Sequence, residues 1–207
     1  MLFYTTDTNE HGLPHDPFKA IVSPRPIGWI STRAKDGAVN LAPYSFFNAI
    51  SDRPKLVMFS SAGMKDSASF AIESGEFVAN LATRDLAEKL NRSSAPAPRG
   101  TSEFGFSGLT EAPCRIVSAP RVAESPAALE CKVTQSFHPK GLDGTISENT
   151  VVIGEVVAIH IDEAILKDGM IDMAIAAPLA RLGYLDYSVA DRVFQMRRPR
   201  TPDASDV

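Results

Sequence analysis

Short apolar runs separated by turn residues make up the hydrophobic pattern of this chain. Two of them, Ile27–Thr32 and Ala38–Ala42, flank Asp36-Gly37. A hairpin is predicted there, because Asp-Gly favours a tight turn with positive φ at both residues. In the run Thr150–Ile161, Gly154 predicts a bulge or a close backbone approach. The remaining runs predict four more strands, at Leu56–Ser60, Phe77–Leu81, Leu129–Phe137 and Thr150–Ile161.

Helical patterns are few and short, and they fall at Ser67–Ser74 and Arg84–Asn91. The segment Arg92–Pro113 is rich in Ser, Pro and Gly, and we predict that it is mostly loop. No strand–helix–strand alternation is sustained, so we predict a mainly β fold, a barrel or sandwich of antiparallel strands with a few short helices. We expect residues 1–17 to form an arm, residues 18–190 the domain and residues 191–207 a polar tail.

Composition narrows the possible partners. The 207 residues include 21 basic and 25 acidic side chains, and the net charge of −4 offers no global field for nucleic acid or for an anionic membrane. The first residues lack the pattern of a secretory signal, and the longest apolar stretch, Val151–Ile161, is too short to span a bilayer. We therefore expect a cytoplasmic protein. Cys114 and Cys131 form no CxxC pair, and we expect neither a disulfide nor a metal site.

The first candidate for chemistry is the segment Ser23–Trp29, which contains two prolines. Pro24 fixes its own φ and Pro26 keeps Arg25 out of the helical region, so Arg25 is held on a stiff extended segment. A cation presented in this way suits a phosphate or an electron-rich ring. The alternative is a solvated arginine in an entry loop, with Trp29 in the core.

The second candidate is the segment Asn40–Ala49, which follows the predicted hairpin and mixes small polar groups with aromatic ones. Ser45 and Asn48 can hydrogen-bond a polar ligand, while Tyr44 and Phe46 or Phe47 offer flat apolar surface. The alternative is a turn in which the serine and asparagine satisfy local backbone groups.

The third candidate is Ser60–Ser67, in which a strand ends, a glycine-containing loop follows and a helix begins. Helix N-termini bind anions through free N–H groups and the dipole, and Ser60, Ser61, Lys65 and Ser67 add donors there. A monophosphate is a natural ligand. The alternative, that Asp66 or Ser67 caps the helix, is compatible with it. The chain has neither a Walker A loop nor a GxGxxG turn after a strand.

Six segments occur in a fixed order: RPIGWISTRAKDGAVNLAPYSFFNAISDRP, LVMFSSAGMKDS, GEFVANL, LECKVTQ, NTVVIGEVVAIHID and PLARLGYLDY. Their succession, from about Phe18 to Tyr187, resembles the flavin reductase-like family. These are FMN-binding split-barrel proteins that include NAD(P)H:flavin oxidoreductases and flavoredoxins. The resemblance implies a Greek-key split β-barrel, a homodimer, and FMN near the subunit interface.

The resemblance also implies the site. It assigns the phosphate end to Ser60–Ser67 and the ring and ribityl contacts to the other segments, including a C-terminal motif with Gly183 and Tyr184. It implies no catalytic side chain, because the flavin carries the hydride chemistry, and no metal. The implied cofactor contacts are Arg25, Ile27, Gly28, Trp29, Ala42, Pro43, Tyr44, Ser45, Phe46, Asn48, Ser60, Ser61, Lys65, Asp66, Ser67, Asn80, Arg181 and Tyr187.

The activity implied by the resemblance is hydride transfer from NADH or NADPH to FMN, with a partner oxygenase or another electron acceptor downstream. One position departs from the family pattern. Many reductases have a histidine of a GDHT-like sequence near the nicotinamide, and here Asn149 stands in its place. Two alternatives therefore stay open: a flavoredoxin-like carrier or other FMN-dependent enzyme that does not use NAD(P)H, and a non-catalytic flavin-binding module.

Overall fold

The computed structural model describes residues 1–98 and 101–197, and strands dominate its regular structure. In chain order the strands are β1 (Arg25–Pro26), β2 (Gly28–Arg33), β3 (Val39–Tyr44), β4 (Phe47–Asp52), β5 (Lys55–Ala62), β6 (Glu76–Leu81), β7 (Glu111–Ala112), β8 (Arg121–Val122), β9 (Ala127–Phe137), β10 (Asn149–Ile161), β11 (Leu166–Lys167), β12 (Met170–Ile171), β13 (Leu179–Arg181) and β14 (Tyr187–Val189). The prediction of a mainly β fold is confirmed.

The helices are short, as predicted. They are α1 (Phe18–Ile21), α2 (Asp66–Ser74), α3 (Ala87–Arg92), α4 (Glu103–Ser107) and α5 (Met173–Ala176), with 3₁₀ turns at Arg84–Leu86 and Glu163–Ile165. Within the described ranges, no helix combines the length and apolarity needed to cross a membrane. The division into arm, domain and tail stays a prediction, and residues 198–207 of the tail lie outside the described residues.

One seven-stranded antiparallel sheet organises the molecule, in the order β3-β2-β6-β9-β10-β5-β4. Strands β3 and β4 lie at its two opposite edges, yet only Ser45 and Phe46 separate them in the chain. Two residues span at most about 7 Å, so the sheet must curl until its edges meet. Tyr44 and Phe59 make contact across the gap, with ring centroids 5.1 Å apart. We call this meeting of the edges at residues 44–47 the seam.

The curled sheet buries apolar side chains on both faces. Trp29 and Ile30 are consecutive on β2, so they point to opposite faces, and both are fully buried. Ile30 belongs to the cluster inside the curl, with Phe59 and Phe77, which α2 closes. Trp29 belongs to the outer cluster that packs under α3 and α4. The central strands are therefore rigid supports for the loops at the seam.

The structure confirms the hairpin at Asp36-Gly37 and a bulge at Gly154, where the β9–β10 register shifts. Of the two turn residues only Gly37 has positive φ, at 94°, so the expectation for Asp36 is wrong. Asp36 instead accepts a hydrogen bond from the Ala38 N–H at 3.0 Å. The segment Arg92–Pro113, predicted to be mostly loop, also contains α4 and β7, which the sequence pattern did not indicate.

Candidate functional site

Two adjoining clefts open at the seam. The α2 cleft has a volume of about 510 Å³, and the arginine cleft one of about 460 Å³. Both lie in the usual size range of small-ligand pockets. They share Pro43 and Ser94, so the end of β3 forms the wall between them. The α2 cleft is lined by Asn40, Ala42, Pro43, Tyr44, Lys65, Asp66, Ser67, Ser93–Ala97 and Glu103. The arginine cleft is lined by Lys19, Arg25, Ile27, Pro43, Ser45, Leu90, Asn91, Ser94, Arg181, Leu182, Tyr184, Leu185 and Tyr187.

Helix α2 begins at the α2 cleft. Lys65 occupies the N-cap position, and its side chain makes no capping hydrogen bond. The positive end of the helix dipole and Lys65 therefore face the cleft, which Ser67 also lines. The N–H groups at the start of α2 and the ammonium of Lys65 are donors that suit a phosphate, and the phosphate role of these residues stays a prediction.

A buried polar network fixes the cleft wall opposite the start of α2. The Ser67 hydroxyl donates to Asn40 Oδ1, and Asn40 Nδ2 donates to both carboxylate oxygens of Glu103, at 2.9 and 3.0 Å. The Leu41 N–H also donates to Glu103, at 2.8 Å. Burial raises the pKa of the Glu103 carboxyl, and the charge of Asp66 adds to the effect. The network joins β3, α2 and α4, and it leaves the Ser67 oxygen able to accept but not to donate.

Tyr44 lies at the junction of the seam and the α2 cleft, and it is buried. Burial raises the pKa of its hydroxyl, whereas hydrogen bonds with Ser67 and Ser61 act in the opposite direction. The phenol therefore remains a neutral hydrogen-bonding group at the pH of the cell. Its ring packs on Phe59, so the backbone of Ala42–Tyr44 is held against the sheet.

The arginine cleft is built by pairing two distant strands. Arg25 on β1 stands directly opposite Arg181 on β13. The Arg181 guanidinium lies over the Tyr187 ring, 4.4 Å from its centroid, within the range of a cation–π interaction. Gly183 passes so close to Ala20 of α1 that a Cβ at this position would collide with it. The C-terminal motif is thus packed onto the start of the domain.

The structure brings most of the predicted cofactor residues to these clefts. Six of them line the α2 cleft: Ala42, Pro43, Tyr44, Lys65, Asp66 and Ser67. Five more line the arginine cleft: Arg25, Ile27, Ser45, Arg181 and Tyr187.

The others line neither cleft, and three of them support the fold. Trp29 is fully buried, and its Nε1–H donates to Ser93 at 2.9 Å. Gly28 makes room for the Phe47 ring, which a Cβ would strike. The buried Asn80 side chain donates to the Trp29 carbonyl at 2.9 Å and accepts from the Val122 N–H at 2.8 Å.

The remaining four predicted residues lie on or beside β4 and β5. Phe46, in the seam, accepts a backbone hydrogen bond from Ser60 at 2.8 Å. Asn48 is exposed on β4, where its Oδ1 accepts from the Ala49 N–H. Ser61 is fully buried near the end of β5. The cofactor roles of these residues stay predictions.

Asn149 stands where the resemblance implied a histidine for many reductases. Its side chain and carbonyl are both engaged in contacts within the fold. Its Nδ2 donates to Ser60 Oγ at 3.0 Å, and its carbonyl lies 3.0 Å from His138 Nδ1. This asparagine therefore ties the start of β10 to β5.

Sequence reasoning missed Asn40, Ser94, Glu103 and Lys19, all of which line the clefts. Asn40 and Glu103 are 63 positions apart and meet only in the tertiary structure. A signal for Asn40 was its polarity at an inward position of a predicted strand, since buried polar groups need partners.

Known proteins resemble this chain over nearly its whole length. An uncharacterized protein of Halalkalibacterium halodurans is 37% identical over 183 residues, which cover 86% of this chain and 87% of the relative. Nitrilotriacetate monooxygenase component B from Bacillus cereus superposes with a TM-score of 0.86 at 28% identity, covering 95% of this chain and 98% of that structure. The 2-nitrobenzoate 2-nitroreductase of Pseudomonas fluorescens superposes with a TM-score of 0.80 at 25% identity, covering 98% and 99%.

A protein with a split barrel domain from Shewanella frigidimarina superposes with a TM-score of 0.78 at 23% identity, covering 95% of this chain and 94% of that structure. These superpositions confirm the predicted split β-barrel fold. The family model described as "Flavin reductase like domain" matches residues 22–180. That span contains the complete seven-stranded sheet, the seam and the start of α2. The chain therefore belongs to the flavin reductase-like family.

Proposed function

We propose that this protein binds FMN at the seam and works as an oxidoreductase, an NAD(P)H-dependent flavin reductase. The observation that carries the proposal is the α2 cleft, where Lys65 and an uncapped helix N-terminus suit a phosphate beside the backbone of Ala42–Tyr44. Membership of the flavin reductase-like family agrees with it.

The chain's own residues bind and orient rather than transfer protons. A flavin bound at the seam would supply the redox chemistry of hydride acceptance and electron transfer. Lys65 and the N-terminus of α2 anchor the phosphate, and Pro43 and Ser45 stand along the wall between the clefts. Because orientation does most of this work, the site needs no acid–base pair.

A titration of the flavin-free protein with FMN tests the cofactor assignment. Lys65→Glu should weaken FMN binding about tenfold or more, since a hydrogen bond to a charged group contributes roughly 1.5–3 kcal/mol. Lys35→Glu, on the exposed β2–β3 turn, makes the same charge change far from the clefts and should leave the affinity unaltered. Equal FMN affinity in both variants would refute the phosphate site.

A second candidate is an FMN-dependent enzyme that does not use NAD(P)H, and the bonded state of Asn149 favours it. Stopped-flow mixing of the FMN-loaded protein with NADH or NADPH distinguishes the two. Bleaching of the flavin band supports the reductase, with a partner oxygenase or another acceptor downstream. An unbleached flavin with both donors supports the second candidate.

The proposal includes a homodimer. Val157, Ile159 and Ile161 alternate on one face of β10 and are 42%, 51% and 45% exposed. We call them the β10 stripe. Pairing with β5 ends at Glu155, so this part of β10 has β9 on one side only. An apolar stripe beside an unpaired strand edge is a surface that a second copy of the chain can cover.

A further inference from the structure

The arginine cleft carries positive charge that the described residues do not neutralise. Lys19, Arg25 and Arg181 line it, and its described lining contains no carboxylate. Elsewhere in the described chain, arginines such as Arg33 and Arg84 pair with acidic side chains. Neither Arg25 nor Arg181 is in an ion pair within the described residues.

The guanidinium of Arg25 is buried and is held in a fixed position by backbone carbonyls. Only 7% of the residue is exposed. Its Nη1 donates to the carbonyls of Lys19 and Val22, and its Nη2 donates to the carbonyl of Leu182 at 2.9 Å. Its buried Nε has no partner among the described residues. Burial lowers the pKa of Arg25, and the nearby charge of Arg181 lowers it further.

Two like charges that lie opposite each other without a counter-ion raise the free energy of the empty cleft. An anion between them would remove that penalty, so the charge arrangement itself favours an anionic ligand.

Arg181 is the cation best placed to meet such an anion. It is only half-buried, and one of its N–H groups donates to the Tyr184 carbonyl. A guanidinium has five N–H donors in a planar fork that matches a carboxylate. Tyr184 has a φ of 55°, a left-handed conformation that is uncommon for tyrosine. Such strained residues cluster at ligand-binding sites, and here the strain points the Tyr184 carbonyl at Arg181.

Part of the remaining wall of the cleft is apolar, and Ser45, Asn91 and Ser94 add polar groups to it. Ile27, Leu90, Leu182 and Leu185 form the apolar part together with the tyrosine rings. A small inorganic anion would leave these side chains without contacts, whereas a flat hydrophobic body would cover them. The wall formed by Pro43 and Ser94 also belongs to the α2 cleft, so a ligand here lies next to the proposed flavin site.

We propose that the arginine cleft binds a small aromatic carboxylate, with the carboxylate on Arg181 and Lys19 and the ring against the apolar part of the wall. This ligand takes the place of the FMN contacts that the resemblance implied for Arg25, Arg181 and Tyr187, and the flavin is then held by the α2 cleft and the seam. The claim that this ligand is a second substrate beside the flavin rests on the proposed function. The claim that the cleft binds it rests only on the geometry of the cleft.

Calorimetric titration of the FMN-loaded protein with three probes tests the proposal. Benzoate carries both the ring and the charge, benzamide is its neutral counterpart, and inorganic phosphate has charge without a ring. We expect benzoate to bind at least about tenfold more tightly than either of the others, because only benzoate offers both the charge-assisted hydrogen bonds and the apolar contact. Benzamide binding equal to benzoate would overturn the anion site, and phosphate binding equal to benzoate would overturn the aromatic part.

Variants locate the site. Arg181→Gln should weaken benzoate binding about tenfold. Lys19→Gln should weaken it about two- to fivefold, because Lys19 is exposed and its ion pair with the benzoate carboxylate would be screened by solvent. Arg53→Gln, whose side chain is 94% exposed on the β4–β5 turn, is the matched control and should bind benzoate like the native protein. Lys19 lies on the short α1, so its variant stays informative if Arg181→Gln fails to fold. Native benzoate affinity in both cleft variants would refute the proposal.

The same titrations on flavin-free protein separate this proposal from the proposed function. If the protein binds benzoate but not FMN, the flavin assignment is refuted and the carboxylate proposal is supported. If it binds FMN but not benzoate, the carboxylate proposal is refuted and the flavin assignment is supported.

Discussion

At the scale of single residues, Glu130 shows how one buried carboxylate organises a loop. It is fully buried on β9 and accepts hydrogen bonds from the consecutive N–H groups of residues 115–117, at 2.7–2.9 Å. His160 Nε2 lies 2.6 Å from the same carboxylate. Cys114 is close enough to complete a potential metal-ligand group. The carboxylate oxygens are already saturated, and burial raises the pKa of the Cys114 thiol to about 12, so we assign the group a structural role.

Glu130→Gln should destabilise the fold by roughly 3 kcal/mol, because the amide NH₂ would face backbone donors that lose their acceptor. Chemical denaturation at neutral pH measures the change. Glu163→Gln, at an exposed glutamate in a 3₁₀ turn, is the control and should stay within about 0.5 kcal/mol of the native protein. A loss no larger than that of the control would show that the loop is held by other contacts.

The pH dependence of stability has a definite sign at Glu130. Burial alone would raise its pKa, but the hydrogen bonds from the loop N–H groups and His160 prevail and lower the pKa from 4.5 to about 2. The stabilisation is therefore complete above pH 4.5 and is lost as the pH falls toward 2. The free energy of unfolding of Glu130→Gln should accordingly change less than that of the native protein over this range.

At the scale of elements, local signals predicted well and tertiary ones did not. The β2–β3 hairpin was predictable because Asp36-Gly37 encodes its own turn. Helix α4 was not, because Gly105 and Gly108 weaken its local signal. Its stability comes from Phe104 in the outer core and from the bonds between Glu103 and Asn40. Strand β4 was interpreted as part of a turn or loop although its partner β5 follows it directly, because most of its residues are exposed and no apolar run marks it.

Gly154 on strand β10 is packed closely against buried side chains. A Cβ on Gly154 would lie 2.5 Å from the Phe77 ring and 3.1 Å from Cys131 Cβ, and both neighbours are fully buried. Gly154→Ala should therefore destabilise the protein by about 2 kcal/mol through overpacking. Gly105→Ala, which meets no atom within 4 Å, should be neutral or slightly stabilising. Thermal unfolding compares the two, and equal melting temperatures would contradict the close approach.

At the scale of the whole molecule, the curl of the sheet decides which predicted residues become a site. Lys65–Ser67 and Ala42–Tyr44 were found from local pattern, since a helix start and a strand end are visible in sequence. The pairing of Arg25 with Arg181 was not visible, because 155 residues separate them and only the β1–β13 register brings them together. Trp29 and Asn80 belong to motifs that the family resemblance marked, but the structure uses them as interior supports.

The exposed β10 stripe leads to a prediction about the oligomeric state of the protein. If a second copy covers the β10 stripe, sedimentation equilibrium at micromolar concentration should give twice the 22.3 kDa of the chain. Ile159→Glu should shift the protein to monomer, because a charge in an apolar interface is left without hydration or a partner. Ile146→Glu, at an exposed isoleucine in the loop that precedes β10, makes the same change at the opposite end of the strand from the stripe and should remain dimeric. A native protein that sediments as a monomer would refute the homodimer, and a dimer that survives Ile159→Glu would place its interface on another surface.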